Sequence, residues 1–300
     1  MPGERLCDPK QEAMPSRAKR TTQAAPAHDP LRVVSIGGGT GLSTLLSGLK
    51  HYAFGVHGEP PELGPYAVDI TAVVTVTDDG GSSGRLRRDF DILPPGDIRN
   101  CMVALSEDEA LLSRLFQYRF HSGRGLKGHS FGNLFLTALH QITGDFSHAV
   151  RLSSEILAIR GKIFPATAAN VSLEARLLDG TVVAGESRIS KSRLPIDRIR
   201  TNPKRCAPLP EVIEAIQKAD IITLGPGSLY TSVIPNLLVE GIAEALENSR
   251  ALKVYFVNLM WQPGETINFS ASRHVEAVLK HARNHNVMDC AVLNTESISP

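Results

Sequence analysis

A short apolar strand that runs directly into a glycine-rich turn and then a helix constrains the fold of this chain most. Residues 31–36 read Leu-Arg-Val-Val-Ser-Ile, a run typical of a buried parallel strand. Leucines then recur at helical spacing from Leu42 to Leu49. The order strand, turn, helix predicts a βα unit, whose helix start offers backbone N–H groups to an anion such as phosphate. The turn consists of Gly37, Gly38, Gly39, Thr40 and Gly41.

This glycine turn matches neither of the two common phosphate-binding signatures. Leu42 stands where the third glycine of a dinucleotide-binding turn would lie, and no Gly-Lys-Ser/Thr sequence follows. Two interpretations therefore remain open: a phosphate-binding turn, and a tight strand–helix turn that carries no ligand.

The rest of the chain continues the alternation of strands and helices. Further strands are predicted at 69–76, 220–224, 253–258 and 289–293, and helices at 97–105, 107–118, 130–142, 146–159, 210–218 and 273–286. This rhythm predicts a Rossmann-like, doubly wound α/β fold with a mostly parallel sheet, in a single domain over residues 31–300.

One segment departs from that rhythm. Asp179-Gly180, a strong turn signal, separates the strand-like runs 171–178 and 181–189, which predicts a hairpin. We expect it to belong to a small β-rich insertion at about 163–205.

A second polar segment follows the strand predicted at 69–76. It carries two carboxylates and two hydroxyls at Asp78, Asp79, Ser82 and Ser83. Either Asp78 or Asp79 could hold Mg²⁺ or a ribose hydroxyl, and adjacent side chains in extended backbone point apart, so only one is expected to face a ligand. A solvated Asp/Gly/Ser turn is the alternative.

Another strand-to-helix turn, at 225–231, suggests a second site for a phosphate group. Two such turns in one sheet suit a diphosphate ligand, although their hydroxyls could simply cap helices. Its residues are Gly225, Pro226, Gly227, Ser228, Leu229, Tyr230 and Thr231.

Four further residues are weaker candidates. His129 and Asn133, four residues apart, could share one face of a helix start. Asp97 has the character of an N-cap, and Trp261 could either stack on a ligand or pack.

Composition excludes several classes of protein. The net charge of +1 gives no sign of a nucleic-acid partner, and no apolar run reaches the ~20 residues that span a bilayer. The four cysteines show no zinc-ligand spacing, which favours reduced thiols and a cytoplasmic location. Residues 1–30 lack a signal-peptide pattern and are expected to be a disordered extension. A homodimer is compatible with these properties.

Six blocks occur in an order that resembles the YvcK/CofD-like family, in its gluconeogenesis-factor branch. They are 37–43, 78–86, 94–100, 128–133, 225–232 and 262–266. The resemblance implies a Rossmann-like fold and a cytoplasmic bacterial protein that binds UDP-sugars, notably UDP-N-acetylglucosamine, and supports cell shape and wall synthesis during gluconeogenic growth. It also implies ligand contacts at residues 37–41, Asp78, Asp79, Ser82, Ser83, Asn133 and 225–231.

Three functional hypotheses follow. The leading one is a regulatory protein that binds a UDP-sugar and signals to unidentified protein partners. The second, implied by a more distant branch of the family, is a Mg²⁺-dependent transferase of the 2-phospho-L-lactate transferase type. The third is an NAD-binding protein, which the missing third glycine disfavours.

Overall fold

The computed structural model describes residues 29–64, 66–107 and 111–296. The extension expected at residues 1–30 lies outside this range apart from its last two residues.

A six-stranded parallel sheet forms the centre of the molecule. Its strands lie in the order β3-β2-β1-β7-β8-β9, and every neighbouring pair is parallel, which confirms the predicted Rossmann-like sheet. The strands are β1 (Leu31–Gly37), β2 (Val68–Val74), β3 (Lys162–Pro165), β7 (Ile221–Leu224), β8 (Leu252–Phe256) and β9 (Cys290–Val292).

The direction of winding reverses between β1 and β7. From β1 the chain builds outward through β2 to β3, and later returns to the other side of β1 to form β7, β8 and β9. Counted within this sheet, the order is the 3-2-1-4-5-6 of dinucleotide-binding folds. Such sheets bind ligands beyond the carboxyl ends of the strands at the point of reversal, which here is where Gly37 and Leu224 end their strands.

Helices pack on the sheet through buried apolar side chains. Leu42 and Leu46 of the first helix are fully buried in the core, and this helix packs on the third. The helices are α1 (Gly39–Leu49), α2 (Gly81–Phe90), α3 (Gly96–Leu105), α4 (Leu111–Gln117), α5 (Phe131–Thr143), α6 (Phe146–Ile156), α7 (Glu186–Ile189), α8 (Pro210–Lys218), α9 (Ile234–Leu237), α10 (Ile242–Asn248) and α11 (Ala271–His281). Within the described ranges no helix is long and apolar enough to cross a membrane.

A three-stranded antiparallel sheet lies between β3 and β7 in the chain. It consists of β4 (Ser172–Leu177), β5 (Val182–Ala184) and β6 (Ile196–Asn202), in the order β5-β4-β6. The β-rich insertion was expected to begin at about residue 163, but residues 162–165 pair with β2 in the main sheet.

Two local expectations are wrong for identifiable reasons. The strand predicted at 181–189 ends at Ala184, because Gly185 has φ 95° and turns the chain into α7. No helix was predicted over the polar segment after β2, because this segment lacks the apolar spacing by which helices are found, yet α2 begins within it at Gly81.

Side chains of α11 hold the antiparallel sheet in place. The Lys280 ammonium lies 2.8 Å from the carboxylate of Asp197 on β6. His281 Nε2 accepts the backbone N–H of Ile199 at 2.9 Å, while its Nδ1 lies 2.7 Å from the carbonyl O of Ala277. Because Nε2 accepts a hydrogen bond it carries no proton, so the His281 ring is neutral with its proton on Nδ1, and burial lowers its pKa to about 4.

Candidate functional site

The two predicted glycine turns touch each other at the carboxyl ends of β1 and β7. A Cβ on Gly41 would lie 2.6 Å from the carbonyl O of Pro226 and 2.9 Å from the Cα of Gly227. A Cβ on Gly227 would in turn lie 3.3 Å from the carbonyl O of Gly38. Residues 37–41 and 225–228 therefore form one surface at the point where the winding reverses.

Close packing by itself requires glycine at several of these positions. A Cβ on Gly38 would lie 2.5 Å from Thr75 Cγ2 and 2.8 Å from Asp97 Oδ2. Gly39 has φ 63°, in the left-handed region that glycine adopts without strain. Packing and backbone conformation therefore require glycine at these positions whether or not a ligand binds. A ligand would have to bind through polar groups of this surface that packing leaves available.

Two helix starts supply such groups. Helix α1 begins after Gly38 and helix α2 after Gly80, and both N-cap residues are glycines without a capping side chain, although the Asp97 carboxylate accepts the N–H of Gly39. The first N–H groups of a helix have no acceptor within it, and the helix dipole adds roughly half a positive charge at this end. Helices α1 and α2 follow neighbouring strands, so both starts favour an anion at this edge of the sheet.

The carboxylate of Asp97 occupies part of this surface. It accepts the backbone N–H of Gly39, and burial, with a smaller contribution from Asp78, raises its pKa to about 6. The expectation that Asp97 caps α3 is wrong, because the helix begins at Gly96 with Pro95 as the N-cap. The side chain instead crosses to the glycine turn of another element.

Asp78 and Asp79 point in different directions, as the extended backbone predicts. Asp78 Oδ1 accepts the N–H of Gly80 at 2.8 Å, and its Oδ2 lies 2.9 Å from where a Cβ on Gly96 would be. Asp79 Oδ1 accepts the N–H of Ser187 at 2.9 Å, which ties it to α7. Asp78 is therefore the carboxylate on the side of Asp97 and the first glycine turn.

The described part of the chain contains no group of three or more His, Cys, Asp or Glu side chains placed to hold a metal. Mg²⁺ at Asp78 would need further oxygen ligands from phosphates and water, which is the usual arrangement for this ion.

The start of α5 lies against the start of α2. His129 Nδ1 is 3.0 Å from Ser82 Oγ, and Asn133 Nδ2 donates to Ser83 Oγ at 3.4 Å. Asn133 is 2% exposed, and its Oδ1 has no partner among the described residues. These two side chains thus share one direction, as their spacing of four predicts, and position the serines of α2.

The second turn is supported from the loop at 262–266. Gln262 Nε2 donates to Ser228 Oγ at 2.8 Å. The buried Glu265 carboxylate accepts the N–H of Tyr230 at 2.9 Å and the hydroxyl of Thr231 at 3.0 Å. The N–H of Tyr230 is consequently occupied, and Leu229 is fully buried, so the available surface of this turn lies nearer its first residues.

Glu186, on the short helix α7 between β5 and β6, is a further carboxyl group near these carboxylates. Burial raises the pKa of Glu186 on α7 to about 9, and the carboxylates of Asp78, Asp97, Asp79 and Glu265 add to this shift in that order. Glu186 therefore carries a proton at neutral pH and can donate a hydrogen bond.

A model of the 2-phospho-L-lactate transferase CofD family matches residues 33–300. The chain belongs to the CofD family.

Relatives within the CofD family are named as gluconeogenesis factors. One from Halalkalibacterium halodurans is 51% identical over 267 residues, which cover 89% of this chain and 78% of that protein. One from Bacillus subtilis is 50% identical over 267 residues, covering 89% and 80%. A Nostoc relative is 51% identical over 268 residues, and the match spans only 56% of its length.

A solved CofD-family structure shares the fold. The crystal structure of a Bacillus halodurans protein superimposes with a TM-score of 0.84 at 50% identity, covering 90% of this chain and 82% of that one.

Sequence reasoning identified the segments of this CofD-family site but not all of its contacts. It named both glycine turns, Asp78, the serines of α2 and Asn133, and the structure brings these together. It missed the roles of Asp97 and Glu265, although both lie in blocks that it singled out. It missed Glu186 entirely, because no local pattern links α7 to the strand ends.

Proposed function

We propose that this CofD-family protein binds a nucleotide-linked sugar of the UDP-N-acetylglucosamine type through its diphosphate, in the cytoplasm, and acts as a regulator. The observation that carries the proposal is the contact between the turns at 37–41 and 225–228 at the reversal of the sheet, beside two helix starts whose N-cap residues are glycines. The names of its relatives support a role in gluconeogenic growth.

The charges around this surface determine how a diphosphate would bind. Asp78 and Asp97 oppose an anion when ionised, whereas the protonated Glu186 does not. Mg²⁺ at Asp78 would offset the remaining repulsion while the diphosphate completes its coordination. We therefore expect Mg²⁺ to strengthen binding.

The regulatory role extends to protein partners. A ligand that contacts both turns and α7 would hold the antiparallel sheet in a fixed position relative to the parallel sheet. A partner that recognises this arrangement would sense nucleotide-sugar supply and adjust cell-wall synthesis and cell shape accordingly.

A Mg²⁺-dependent transferase of the 2-phospho-L-lactate transferase type is the second candidate. The family description and the position of Asp78 favour it. In this case the metal would neutralise phosphate charge and hold the leaving group, while Glu186 could supply a proton.

Thermal unfolding with added ligands tests the proposal. The probes are UDP-N-acetylglucosamine, GDP and NAD⁺, each with and without Mg²⁺. A ligand at 100 times its Kd stabilises the folded state by about 2.7 kcal/mol. We expect the UDP-sugar to raise Tm most, with no product formed. Metal-dependent product formation would favour the transferase, and a response to NAD⁺ alone would refute both.

Two aspartate variants locate the site. Asp78→Ala should abolish the response to UDP-N-acetylglucosamine with little change in the Tm of the free protein. Asp69→Ala is the matched control, since Asp69 lies at the opposite end of β2 and contacts only exposed Lys162 among the ion pairs found in the described ranges. Unchanged affinity in Asp78→Ala would remove Asp78 from the site.

A further inference from the structure

A cleft of about 420 Å³ opens beside the second glycine turn. It lies between the loop 192–197 that precedes and enters β6, the loop 264–269 and helix α11. Its volume falls within the ~300–1,000 Å³ typical of small-molecule sites. The cleft shares Tyr230 with the turn at 225–231 and Glu265 with the loop that supports this turn.

The base of the cleft offers a hydrogen-bond donor that the protein does not use. Tyr230 is 3% exposed, and no hydrogen bond found in the described residues involves its hydroxyl. Burial, with a contribution from the Glu265 carboxylate, raises the pKa of Tyr230 to about 12, so the hydroxyl keeps its proton. As a residue that lines the cleft, Tyr230 can offer this hydroxyl to an acceptor on a ligand.

Part of the walls is apolar and aromatic, beside polar and charged residues that include Arg193, Asn268 and Glu276. The apolar part is lined by Leu194, Pro195, Ile267 and Phe269. The Phe269 ring lies edge-on to Tyr230, with 6.3 Å between ring centres, and the Arg273 guanidinium lies 5.6 Å from the centre of the Phe269 ring. This combination suits a flat ring that stacks against aromatic or guanidinium groups.

Ion pairing keeps the walls together and limits the free charge. Asp197 is bound by Lys280 across the cleft and by Arg176 from β4, and both cations lower the pKa of Asp197 to about 2. The two walls are therefore joined before any ligand arrives, so little ordering is needed on binding. With Asp197 and Lys280 neutralising each other, the cleft offers no concentrated positive charge for a second phosphate.

We propose that this cleft is the subsite for the base of the nucleotide: a flat, uncharged heteroaromatic ring whose carbonyl accepts a hydrogen bond from the Tyr230 hydroxyl. The inference rests on the proposed function, since it places the base on the side of Tyr230 and the sugar beyond the first glycine turn.

Isothermal titration in the presence of Mg²⁺ with three probes tests this subsite. UDP-N-acetylglucosamine carries base, diphosphate and sugar, uridine carries only the base and ribose, and inorganic pyrophosphate only the phosphates. The variants are Tyr230→Phe, which removes one hydroxyl, and Arg273→Ala, at an exposed position. Arg198→Ala is the control, because Arg198 is an exposed arginine on β6 outside the cleft.

The expected pattern separates the subsite from the turns. Both cleft variants should weaken the binding of UDP-N-acetylglucosamine and of uridine by about tenfold, the effect of one lost hydrogen bond or stacking contact. The affinity for pyrophosphate should not change. Arg198→Ala should bind all three probes as the wild type does. If Tyr230→Phe does not fold, Arg273→Ala carries the test.

Three results would overturn the inference. If both cleft variants bind UDP-N-acetylglucosamine with wild-type affinity, the base does not bind in the cleft, but the proposed function is unaffected. An equal loss of pyrophosphate binding would show that the variants disturb the turns. If the wild type binds none of the probes, the proposed function and the subsite both fail.

Discussion

The glycine turns and helix α7 contribute to the same surface through different chemistry. The turns contribute backbone: their glycines allow residues 37–41 to contact residues 225–228, and the helix starts leave N–H groups available. Helix α7 contributes a side chain, the protonated Glu186, and binds Asp79 through the N–H of Ser187. Close packing determines the arrangement of the turns, and charge determines the contribution of α7. A change in side-chain volume should therefore affect the turns, whereas a change in pH should affect α7.

The largest effect is expected from pH at Glu186. Its pKa is about 4.5 when unfolded and about 9 when folded, so between these values the folded protein holds a proton that the unfolded chain has released. Stability contributed by Glu186 is thus complete below pH 4.5 and declines as the pH rises to about 9, by up to about 1.4 kcal/mol per pH unit. Urea unfolding from pH 5 to 9 should show this decline in the wild type and a weaker one in Glu186→Gln.

Glu214→Gln is the control for the Glu186 variant. The Glu214 carboxylate is exposed and its pKa is lowered by Lys218, so its removal should not flatten the profile. Parallel profiles for the wild type and Glu186→Gln would mean that Glu186 is ionised at neutral pH.

A smaller loss is expected when the turns are forced apart. Gly41→Ala places a methyl group 2.6 Å from the Pro226 carbonyl O, and because this contact is with backbone it cannot be relieved by a rotamer change. Overpacking of this kind costs about 1–3 kcal/mol, measured by urea unfolding.

Gly48→Ala in the same helix provides the opposite expectation. No atom lies within 4 Å of its added Cβ, so alanine should stabilise α1 by roughly 0.5–1 kcal/mol. If both variants are equally stable, close packing of the turns is not what requires glycine at position 41.

The attachment of the antiparallel sheet to α11 can be broken at one side chain. His281→Phe leaves the buried N–H of Ile199 without its acceptor, at a cost of about 1–3 kcal/mol. The folded pKa of His281, about 4, lies below its unfolded value, so its contribution is present above about pH 6.5 and is lost as the pH falls towards 4. The difference in unfolding free energy between the wild type and His281→Phe should therefore shrink as the pH falls from about 6.5 to 4. A difference that stays constant over this range would contradict a neutral His281 ring.

The smallest effect is expected at Asp79. Asp79→Asn retains an acceptor for the N–H of Ser187 but loses the charge, so stability should fall by about 1 kcal/mol or less. Hydrogen exchange of the Ser187 amide measures the contact directly. Faster exchange of the Ser187 amide, with unchanged exchange of the β1 amides, would show that α7 is stabilised independently of the turns. Unchanged exchange of the Ser187 amide would show that the Asp79 charge is dispensable.

Sequence patterns predicted the parallel sheet well because buried strands and glycine turns have local signatures. Residues 31–36 were apolar, Gly37–Gly41 followed at once, and the same pattern recurred at 220–228. The patterns failed where composition was ambiguous. Helix α2 was not recognised because it is rich in serine, glycine and arginine, and β6 was not recognised because charged residues interrupt its apolar positions.

The sequence by itself therefore determined the βα alternation, the positions of the glycine turns and the resemblance of its six blocks to one family. Only the tertiary structure decided that Asp97 binds Gly39, that Glu265 holds the second turn and that Glu186 gains a proton. Those contacts join residues far apart in the chain, and the pKa of a carboxyl group depends on the burial and neighbouring charges that folding creates.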